Sequence, residues 1–313
     1  MEDYPKTLIE FEARFSSEEN CRDYLFQLRW PDGFYCPRCN HKKAWPIGTV
    51  LFQCASCNYQ ISVIAGTIFH GTHKSLTLWF RTIWWFTGQK NGASALDLKR
   101  VLGLGSYKTV WAWLHKLRRA MVTPGRNRLS GIIEVDESYI GGAKPGKRGR
   151  GAEGKALIII AAEIKVARIG RIRLQRIPDA SADSLEEAIK KDVTEGSVIR
   201  TDEWRGYSRL KSLGYIHEIV RKDTELGENL LPSCHRVAAL LKRWHMGTHQ
   251  GAVSHEHLDY YLDEFTFRFN RRTSRHRGKL FYRLLQNAVE LDPVDYKQMI
   301  KNVRGQKSSE YYI

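Results

Sequence analysis

The pattern of apolar positions predicts helices in the first 121 residues of the chain. Near the N-terminus, apolar side chains recur at the i, i+3, i+4 and i+7 spacing of one buried helix face. These side chains are Cys21, Tyr24, Leu25 and Leu28. Ser16 and Glu19 have the spacing of a capping box, so we expect this helix to begin directly after Ser16. A second apolar stripe lies on a tryptophan-rich helix at 75–87, whose predicted core face consists of Leu76, Trp79, Phe80 and Ile83.

From residue 131 onward the pattern changes from helices to strands. The segment 156–164 is an almost continuous apolar run, which is typical of a strand covered on both faces, whereas 170–177 alternates as a half-buried strand does. The other predicted elements are a strand at 131–140, a helix at 181–194, short strands at 197–202 and 217–222, and a long helix from about residue 235. This order predicts an α/β domain.

These changes predict a multidomain α+β protein with a small cysteine-rich module, a helical region and an α/β domain with a mixed sheet. Residues 122–130 contain proline, glycine and basic side chains, which is typical of a linker. The predicted parts are the N-terminal helix and cysteine-rich module at 1–66, the helical region at 67–121, the linker at 122–130, the α/β domain at 131–290 and a C-terminal tail at 291–313.

Composition and charge indicate a folded protein with a polyanionic partner. Of the 313 residues, 42% are hydrophobic, and the formal net charge is +16 with a pI of about 9.6. On charge alone, a basic protein without a nucleic-acid partner is the alternative. The longest apolar run, 156–162, is far shorter than the roughly 20 residues that a membrane helix needs, and the acidic N-terminus is unlike a signal peptide. We therefore expect a cytoplasmic protein without a membrane partner.

Four of the six cysteines form two CxxC pairs that predict a metal site. The pair Cys36 and Cys39 is separated from the pair Cys54 and Cys57 by fourteen residues. Two such knuckles complete a tetrahedral set of four thiolates, which suits structural Zn2+ and leaves no open coordination position. Unligated cysteines and an iron–sulfur cluster are the alternatives. The intervening segment fits the hairpin of a zinc ribbon, a module that binds nucleic acid or protein.

Two helices around a glycine turn predict a helix-turn-helix. The first covers 94–102, Gly103 and Gly105 break it, and Ser106 caps a second helix that continues to Met121. In a DNA-binding helix-turn-helix the second helix enters the major groove. Its basic side chains lie mostly away from the predicted apolar stripe, and the candidate DNA contacts among them are Lys108, Lys116, Arg118 and Arg119. An ordinary helical hairpin packed on the helix at 75–87 is the alternative.

Two aspartates occupy strand positions where an isolated charge is costly. Asp136 lies inside the strand at 131–140, and Asp202 ends the short strand that follows the predicted helix. Two acids at strand positions of one small sheet predict a shared divalent cation, and two separately solvated acids are the alternative. On the last helix, His235 and Lys242 are seven residues apart, so they share a face that points away from the apolar stripe. A solvated surface histidine is the alternative for His235.

The order of these features resembles the RNase H-like nuclease and integrase fold. That fold has one aspartate on its first strand, a second at the end of its fourth, and a third ligand on the helix after its fifth. Eight motifs follow one another along nearly the whole chain: CPRC, CASC, VDESYIGG, AKPGKRGRG, TDEWRGY, HRVAALLKRW, GTHQGAVS and YLDEFTFRFNRR. With these motifs, the sequence resembles bacterial insertion-sequence transposases that have a zinc ribbon and a DDE-type, RNase H-like catalytic domain.

The resemblance implies a metal-dependent DNA transposase, an enzyme that cleaves and joins DNA strands. Asp136 and Asp202 would bind Mg2+ or Mn2+ as the first two residues of the acidic triad. The third position of the triad is His235 in this chain, and Glu264 on the next helix is a rival third ligand. An imidazole brings no negative charge and is softer than a carboxylate, so it should favour Mn2+ relative to Mg2+.

Other charged residues near these positions have different expected roles. Glu137 and Glu203 lie directly beside the aspartates and should point elsewhere, because successive side chains of a regular strand alternate between its faces. Lys242 would contact a DNA phosphate near the site. The basic segments 144–155 and 268–283 suit the DNA backbone, with solvated charge as the alternative. Their candidate DNA contacts are Lys147, Arg148, Arg150, Arg271 and Arg272.

The resemblance also implies partners. Such a transposase binds the terminal inverted repeats of its element and a target DNA, and it works in association with the bacterial nucleoid. It assembles as a homo-oligomer on DNA, because two element ends must be joined in one complex. The alternatives are a catalytically inactive or domesticated zinc-dependent DNA-binding protein, which the histidine at position 235 keeps open, and another RNase H-like nuclease of the resolvase type.

Overall fold

The chain forms two compact units. In the computed structural model, the residues that the structure describes are 2–123, 125–141, 155–166, 168–221, 230–251 and 253–301. Unit 1 contains Met1–Pro124 and Ser274–Asn302, whereas unit 2 contains Gly125–Thr273. Unit 1 is therefore built from two stretches of chain that flank unit 2 in the sequence.

Helices dominate unit 1, and a five-stranded sheet lies at the centre of unit 2. The helices are, in chain order, α1 (Leu8–Arg14), α2 (Glu18–Arg29), α3 (Leu76–Gly88), α4 (Ala95–Val101), α5 (Tyr107–Ala120), α6 (Ala182–Asp192), α7 (Pro232–His249), α8 (Leu258–Asn270), α9 (Gly278–Glu290) and α10 (Tyr296–Lys301). The strands are β1 (Ala44–Ile47), β2 (Leu51–Cys54), β3 (Gln60–Ser62), β4 (Ile132–Ile140), β5 (Ala156–Lys165), β6 (Arg168–Ile177), β7 (Val198–Thr201) and β8 (Ile216–Ile219). Among the described residues, no helix is both long enough and apolar enough to cross a membrane.

An aromatic core joins the helices of unit 1, and the predicted core face of α3 is buried in it. Helices α2, α3 and α5 pack against α9. The fully buried ring of Phe281 on α9 lies 5.5 Å from the ring of Phe11 and 5.6 Å from that of Phe80. Helix α9 begins at a glycine because the chain passes directly over its first turn: a Cβ on Gly278 would lie 1.6 Å from the carbonyl oxygen of Pro5.

The helix predicted near the N-terminus is α2, and Cys21 is fully buried on it as predicted. The predicted start is wrong by one residue. The hydroxyl of Ser17 caps the helix by accepting the N–H of Asn20 at 3.1 Å. Ser16 is occupied elsewhere, since its hydroxyl donates to the carbonyl oxygen of Ala13 in the last turn of α1.

The two helices of the predicted helix-turn-helix are α4 and α5. The hydroxyls of Ser94 and Ser106 cap them, each accepting the backbone N–H three residues further on. The apolar stripe of α5 is buried, and its Trp113 stacks on Trp79 of α3 with ring centroids 3.8 Å apart. Packing on α3 is therefore part of this hairpin, and DNA binding by α5 stays a prediction.

Unit 2 is built on a mixed sheet in the strand order β6-β5-β4-β7-β8. Strands β4, β5 and β6 are antiparallel neighbours. Strand β7 is parallel to β4 because the chain crosses back through α6 before it enters β7. Strand β8 is parallel to β7. The first strand of the unit thus lies at the centre of the sheet, beside the fourth.

Helices cover both faces of this sheet. On one face, Ile158 and Ile160 of β5 pack in a core with α7 and α8, and on the other, Leu157 and Ile159 pack in a core with α6. Strand β5 is accordingly buried along most of its length, as predicted for a strand covered on both faces. The predicted fold class, with a mixed sheet in the α/β part of the chain, is confirmed.

The division into units differs from the predicted boundaries. The N-terminal module and the helical region form one unit, and α9, assigned by its position to the predicted domain at 131–290, also belongs to unit 1. The apolar stripe of a helix indicates that it is buried but not against which partner, and α9 packs on α2 and α3. The long helix predicted from about residue 235 begins three residues earlier, at Pro232.

Candidate active site and metal centre

The four CxxC cysteines of unit 1 converge on one point. Their sulfur atoms all lie within 4.8 Å of one another, with Cys36 Sγ 3.6 Å from Cys57 Sγ and Cys39 Sγ 3.6 Å from Cys54 Sγ. Four ligands at the usual zinc–sulfur distance of about 2.3 Å in a tetrahedron are separated by about 3.8 Å, so the donor set fits this ion. Of the described residues, these four are the one group of three or more potential ligands brought this close together.

The two knuckles are built alike. In each, the residue after the second cysteine is an asparagine in the left-handed region, Asn40 with φ 59° and Asn58 with φ 56°. Each asparagine donates its backbone N–H to the carbonyl oxygen of the first cysteine of its knuckle, Cys36 or Cys54. Asparagine tolerates this conformation better than most residues, which explains why it follows both CxxC pairs.

The short strands of the cysteine module have little core of their own. Strands β1, β2 and β3 are antiparallel, and Phe52 of β2 packs its ring 5.0 Å from that of Phe26 and 6.1 Å from that of Trp30, both from the end of α2. The module is therefore held by aromatic contacts with α2 on one side and by the cysteine cluster on the other.

In unit 2, Asp136 lies on β4 on the face covered by α7. Ile133 and Val135 of β4 belong to the core on the α6 side, whereas Ile140 belongs to the core on the α7 side. Side chains alternate along a strand, so Glu134 and Asp136 share the α7 face. The carboxylate of Asp136 accepts the backbone N–H of the next residue at 2.9 Å.

Asp202 follows β7 directly and lies level with Asp136. The parallel register pairs Ile132 with Val198 and Glu134 with Arg200. Extending this register by two residues beyond its last pair places Asp136 opposite Asp202, at the spacing of neighbouring strands, about 4.8 Å. The backbone N–H of residue 204 donates to Asp202 Oδ1 at 3.0 Å. Asp136 lies inside its strand as predicted, and Asp202 lies one residue past the end of β7.

His235 reaches the same place from the first turn of α7. Its Nε2 lies 3.4 Å from Asp136 Oδ2, and its side chain is 48% exposed. His235 is therefore turned away from the apolar stripe of α7, as the sequence pattern predicts, and it lies beside Asp136. Lys242, two turns further along α7, is exposed. The rival third ligand Glu264 is fully buried on α8 and accepts from Arg268 Nε at 2.8 Å.

The acids beside the two aspartates have other partners, as predicted. Glu137 lies on the opposite face of β4, where its Oε1 accepts the hydroxyl of Tyr207 at 2.6 Å. Glu203 is exposed and pairs with Arg221, with Glu203 Oε1 2.8 Å from Arg221 Nε.

Tyr207 was not singled out from the sequence, although it ends the motif that contains Asp202. Its ring is buried in the core on the α6 side, and its hydroxyl ties the loop after β7 to β4. Burial, followed by the negative charge of Glu137 and then of Asp136 and Asp202, raises the pKa of Tyr207 well above its ordinary value. The hydroxyl therefore stays protonated as a donor, and both aspartates lie close enough to act on it.

We expect Tyr207→Phe to loosen the pairing of β4 with β7. The variant keeps the buried ring but removes a hydrogen bond to a carboxylate, which contributes about 1.5–3 kcal/mol. Amide hydrogen exchange of β4 and β7 measures the free energy of local opening, and we expect it to fall by about this amount.

Tyr215→Phe is the matched control for this change. Tyr215 is buried in the same core, and its hydroxyl donates to a neutral acceptor, the carbonyl oxygen of Val193, at 3.2 Å. A neutral bond contributes about 0.5–1.5 kcal/mol, so its loss should be the smaller one. Equal effects of the two variants on β4 and β7 would show that the bond to Glu137 has no special weight.

The structure corrects part of the predicted DNA contacts on α5. Arg118 is only 1% exposed, with its guanidinium 5.9 Å from the ring of Phe86, so this prediction is wrong. It lies one turn after Leu114 on the buried stripe, and the stripe is wider than the sequence pattern indicated. Lys116 is also turned inward: it donates to the carbonyl oxygen of Ile68, and burial lowers its pKa.

The remaining predicted contacts have mixed environments. Lys108 is exposed on α5, and Arg119 donates to the carbonyl oxygen of residue 292 at 3.4 Å. Arg271 and Arg272 lie over the rings of Phe267 and Phe269, each at 4.0 Å from the centroid, and Arg272 also donates to carbonyl oxygens of β6. The other predicted contacts lie outside the described residues: Lys147, Arg148 and Arg150.

Comparison with known families decides which class of protein this site belongs to. Residues 128–270 match the family described as the ISXO2-like transposase domain, and residues 16–60 match the transposase zinc-ribbon domain. The chain belongs to the zinc-ribbon insertion-sequence transposases. The two matched ranges contain the four cysteines of the cluster and the positions of Asp136, Asp202 and His235.

Individual relatives of the transposase are distant. A protein of Halobacterium salinarum, described as an uncharacterized protein in transposable element ISH50, is 29% identical over 298 residues, with 85% of this chain and 94% of that protein covered. Among solved structures, a pre-cleavage Mos1 transpososome matches with 12% identity and a TM-score of 0.28, covering 72% of this chain and 79% of that chain. A Mos1 paired-end complex with the left transposon end matches with 12% identity and a TM-score of 0.29, covering 75% and 80%.

Proposed function

We propose that this transposase cleaves DNA at the ends of its element and joins the freed ends to target DNA, with a divalent ion held by Asp136, Asp202 and His235. The observation that carries the proposal is the placement of three potential ligands from separate elements near the ends of β4 and β7. Asp136 and Asp202 lie level on neighbouring parallel strands, and His235 lies 3.4 Å from Asp136. Both aspartates lie near enough to Tyr207 to raise its pKa.

The donor set fits a hard divalent ion. Carboxylate oxygens are the preferred ligands of Mg2+ and Mn2+, and a neutral imidazole is accepted by Mn2+ more readily than by Mg2+. The imidazole of His235 is 48% exposed, so it can turn its nitrogen toward an ion without leaving a buried position. We propose Mn2+ as the better activator for this reason.

The residues of the chain have separate tasks in the proposed reaction. When bound, divalent ions supply activation of the attacking oxygen and stabilisation of the leaving oxygen in an in-line displacement at phosphorus. Asp136 is oriented by the backbone N–H of Glu137, and Asp202 by that of residue 204, so neither carboxylate swings freely. Lys242, exposed on the same helix as His235, would contact a phosphate beside the scissile bond.

Unit 1 would supply DNA recognition. We propose that the four cysteines hold a structural Zn2+ and that the ribbon and α5 bind the inverted repeats, with Lys108 and Arg119 among the contacts. The net charge of +16 supports a polyanionic partner, and such contacts make affinity fall steeply with salt. Joining two element ends in one complex requires a second copy of the chain, so we also propose a homo-oligomer on DNA.

A cleavage assay with the wild-type protein tests the proposal. The full chain is incubated with a labelled duplex that ends in the element's inverted repeat and with an unlabelled target duplex, in Mn2+, in Mg2+ or in EDTA. We expect 3′ nicking and joined products in Mn2+, less in Mg2+ and none in EDTA.

The other outcomes of this assay point to different proteins. Tight binding to the duplex without cleavage in either metal would leave a zinc-dependent DNA-binding protein and contradict the catalytic part of the proposal. Metal-dependent nicking that never yields joined strands, over a range of target concentrations, would indicate a nuclease of the resolvase type instead.

A further inference from the structure

Helix α7, which carries His235, begins without a cap of its own. Its N-cap residue is Leu231, which has no side chain that can accept a hydrogen bond, and Pro232 occupies the first turn. The next two backbone N–H groups, of Ser233 and Cys234, would be left without partners inside the protein, as at any helix N-terminus. A buried helix end of this kind needs an acceptor from elsewhere in the fold.

Glu134 on β4 supplies that acceptor from a hundred residues away in sequence. Its Oε2 accepts the N–H of Ser233 at 2.8 Å and that of Cys234 at 3.1 Å. Glu134 is only 6% exposed, and the residues on either side of it in β4, Ile133 and Val135, are fully buried. An apolar side chain would fill this position at lower desolvation cost, so a carboxylate here is explained by what it binds: two N–H groups at the positive end of the helix dipole.

The geometry links this contact to the candidate metal site. Glu134 and Asp136 lie on the same face of β4, two residues and about 6.6 Å apart. His235 is the residue after Cys234, whose N–H Glu134 holds, and its Nε2 lies 3.4 Å from Asp136 Oδ2. The α7 face of β4 therefore carries Asp136 and also carries Glu134, which fixes the turn of α7 that bears His235.

We propose that Glu134 is a positioning residue that holds the first turn of α7 against β4, so that His235 reaches the ion bound by Asp136. The inference rests on the proposed function, because it takes Asp136 and His235 as ligands of the same ion. A cap from within the helix would satisfy the same N–H groups but would not set the distance between the helix and the strand. Glu134 does both because it belongs to the strand.

The affinity for Mn2+ tests this role without using activity. The full-length, zinc-loaded chain is titrated with Mn2+, and the free Mn2+ is followed by electron paramagnetic resonance. Glu134→Gln keeps the reach of the side chain, and its amide oxygen can accept both N–H groups, so we expect Mn2+ affinity within a few-fold of wild type. Glu134→Asp keeps the charge but falls short by one carbon–carbon bond, about 1.5 Å. Glu134→Asp and Glu134→Ala should weaken Mn2+ binding at least about tenfold, the usual scale for loss of a residue that orients a ligand.

A double-mutant cycle with His235→Ala separates positioning from general destabilisation. If Glu134 acts through His235, Glu134→Asp should have no further effect on Mn2+ affinity once His235 is absent. Glu163→Gln is the matched control. Glu163 is 2% exposed on β5 and accepts backbone N–H groups of Ser130 and Arg171, so its loss should lower thermal stability and leave Mn2+ affinity unchanged.

Each result bears on one of the two proposals. Wild-type affinity in Glu134→Asp, or the same loss with and without His235, would overturn the positioning role and leave the proposed function standing. Unchanged Mn2+ binding in Asp136→Ala would instead remove the proposed metal site itself. If Glu134→Ala does not fold, the comparison of Glu134→Gln with Glu134→Asp still tests the positioning role. Glu134→Gln keeps the reach of the side chain and loses its charge, whereas Glu134→Asp keeps the charge and loses the reach.

Discussion

Replacing Asp136 or Asp202 by alanine will abolish strand cleavage by this transposase. Each aspartate would supply one carboxylate to the proposed ion, and the nearest described acids on β4 have other partners. Glu134 holds the first turn of α7, and Glu137 points to the opposite face of β4 and binds Tyr207. An ion stabilises the charge that develops in the displacement by several kcal/mol, and its loss corresponds to at least about a thousandfold in rate. His235→Ala should have a smaller effect, greater in Mg2+ than in Mn2+.

The measurement is single-turnover nicking of a labelled duplex that ends in the element's repeat, with DNA binding checked by mobility shift. Glu203→Ala is the matched control, because Glu203 is the acid next to Asp202 and its exposed carboxylate pairs with Arg221. We expect Glu203→Ala to cleave at the wild-type rate and all variants to bind the duplex. Cleavage that survives in Asp136→Ala, with the DNA still bound, would place the chemistry elsewhere in the chain.

Local patterns predict much of this molecule. The cysteine cluster follows from spacing alone, because a CxxC turn brings two sulfurs to one side whatever surrounds it. Asp136 could be assigned from a charge inside an otherwise apolar strand, and His235 from its helical phase relative to Lys242. For the two site residues the information lies within ten residues of sequence, which is the range over which strand and helix periods determine direction.

The features that the sequence does not reveal are contacts between residues that lie far apart in the chain. Glu134 looks like a second acid beside Asp136, and its role appears only when the first turn of α7 is seen against β4. Arg118 has the charge typical of a surface residue but is buried, with its guanidinium 5.9 Å from the ring of Phe86. Helix α9 follows the sheet in sequence and packs with the N-terminal helices. Periodicity gives the buried face of an element and leaves its partner undetermined.

Removing the metal from the cysteine cluster will unfold the ribbon and cost the transposase its tight binding to the element end. The three strands of this module span only Ala44–Ser62 and share a small core around Phe52, too little to fold without a cross-link. Structural zinc sites contribute on the order of 10 kcal/mol to modules of this size, so Cys57→Ser should lose both the bound zinc and the ribbon fold. We expect affinity for the inverted-repeat duplex to fall at least about tenfold.

Cys21→Ala shows whether this loss is specific to the cluster. Cys21 is as buried as Cys54 but lies in the core of α2, away from the four sulfurs, so its replacement should lower stability and leave one zinc per chain. Zinc content by mass spectrometry and affinity by mobility shift are measured on both variants, at one salt concentration because phosphate contacts are salt-dependent. A Cys57→Ser chain that loses zinc and binds the repeat as tightly as the wild type would assign recognition to α5 and its neighbours. In that case the cluster would stabilise unit 1 without contacting DNA.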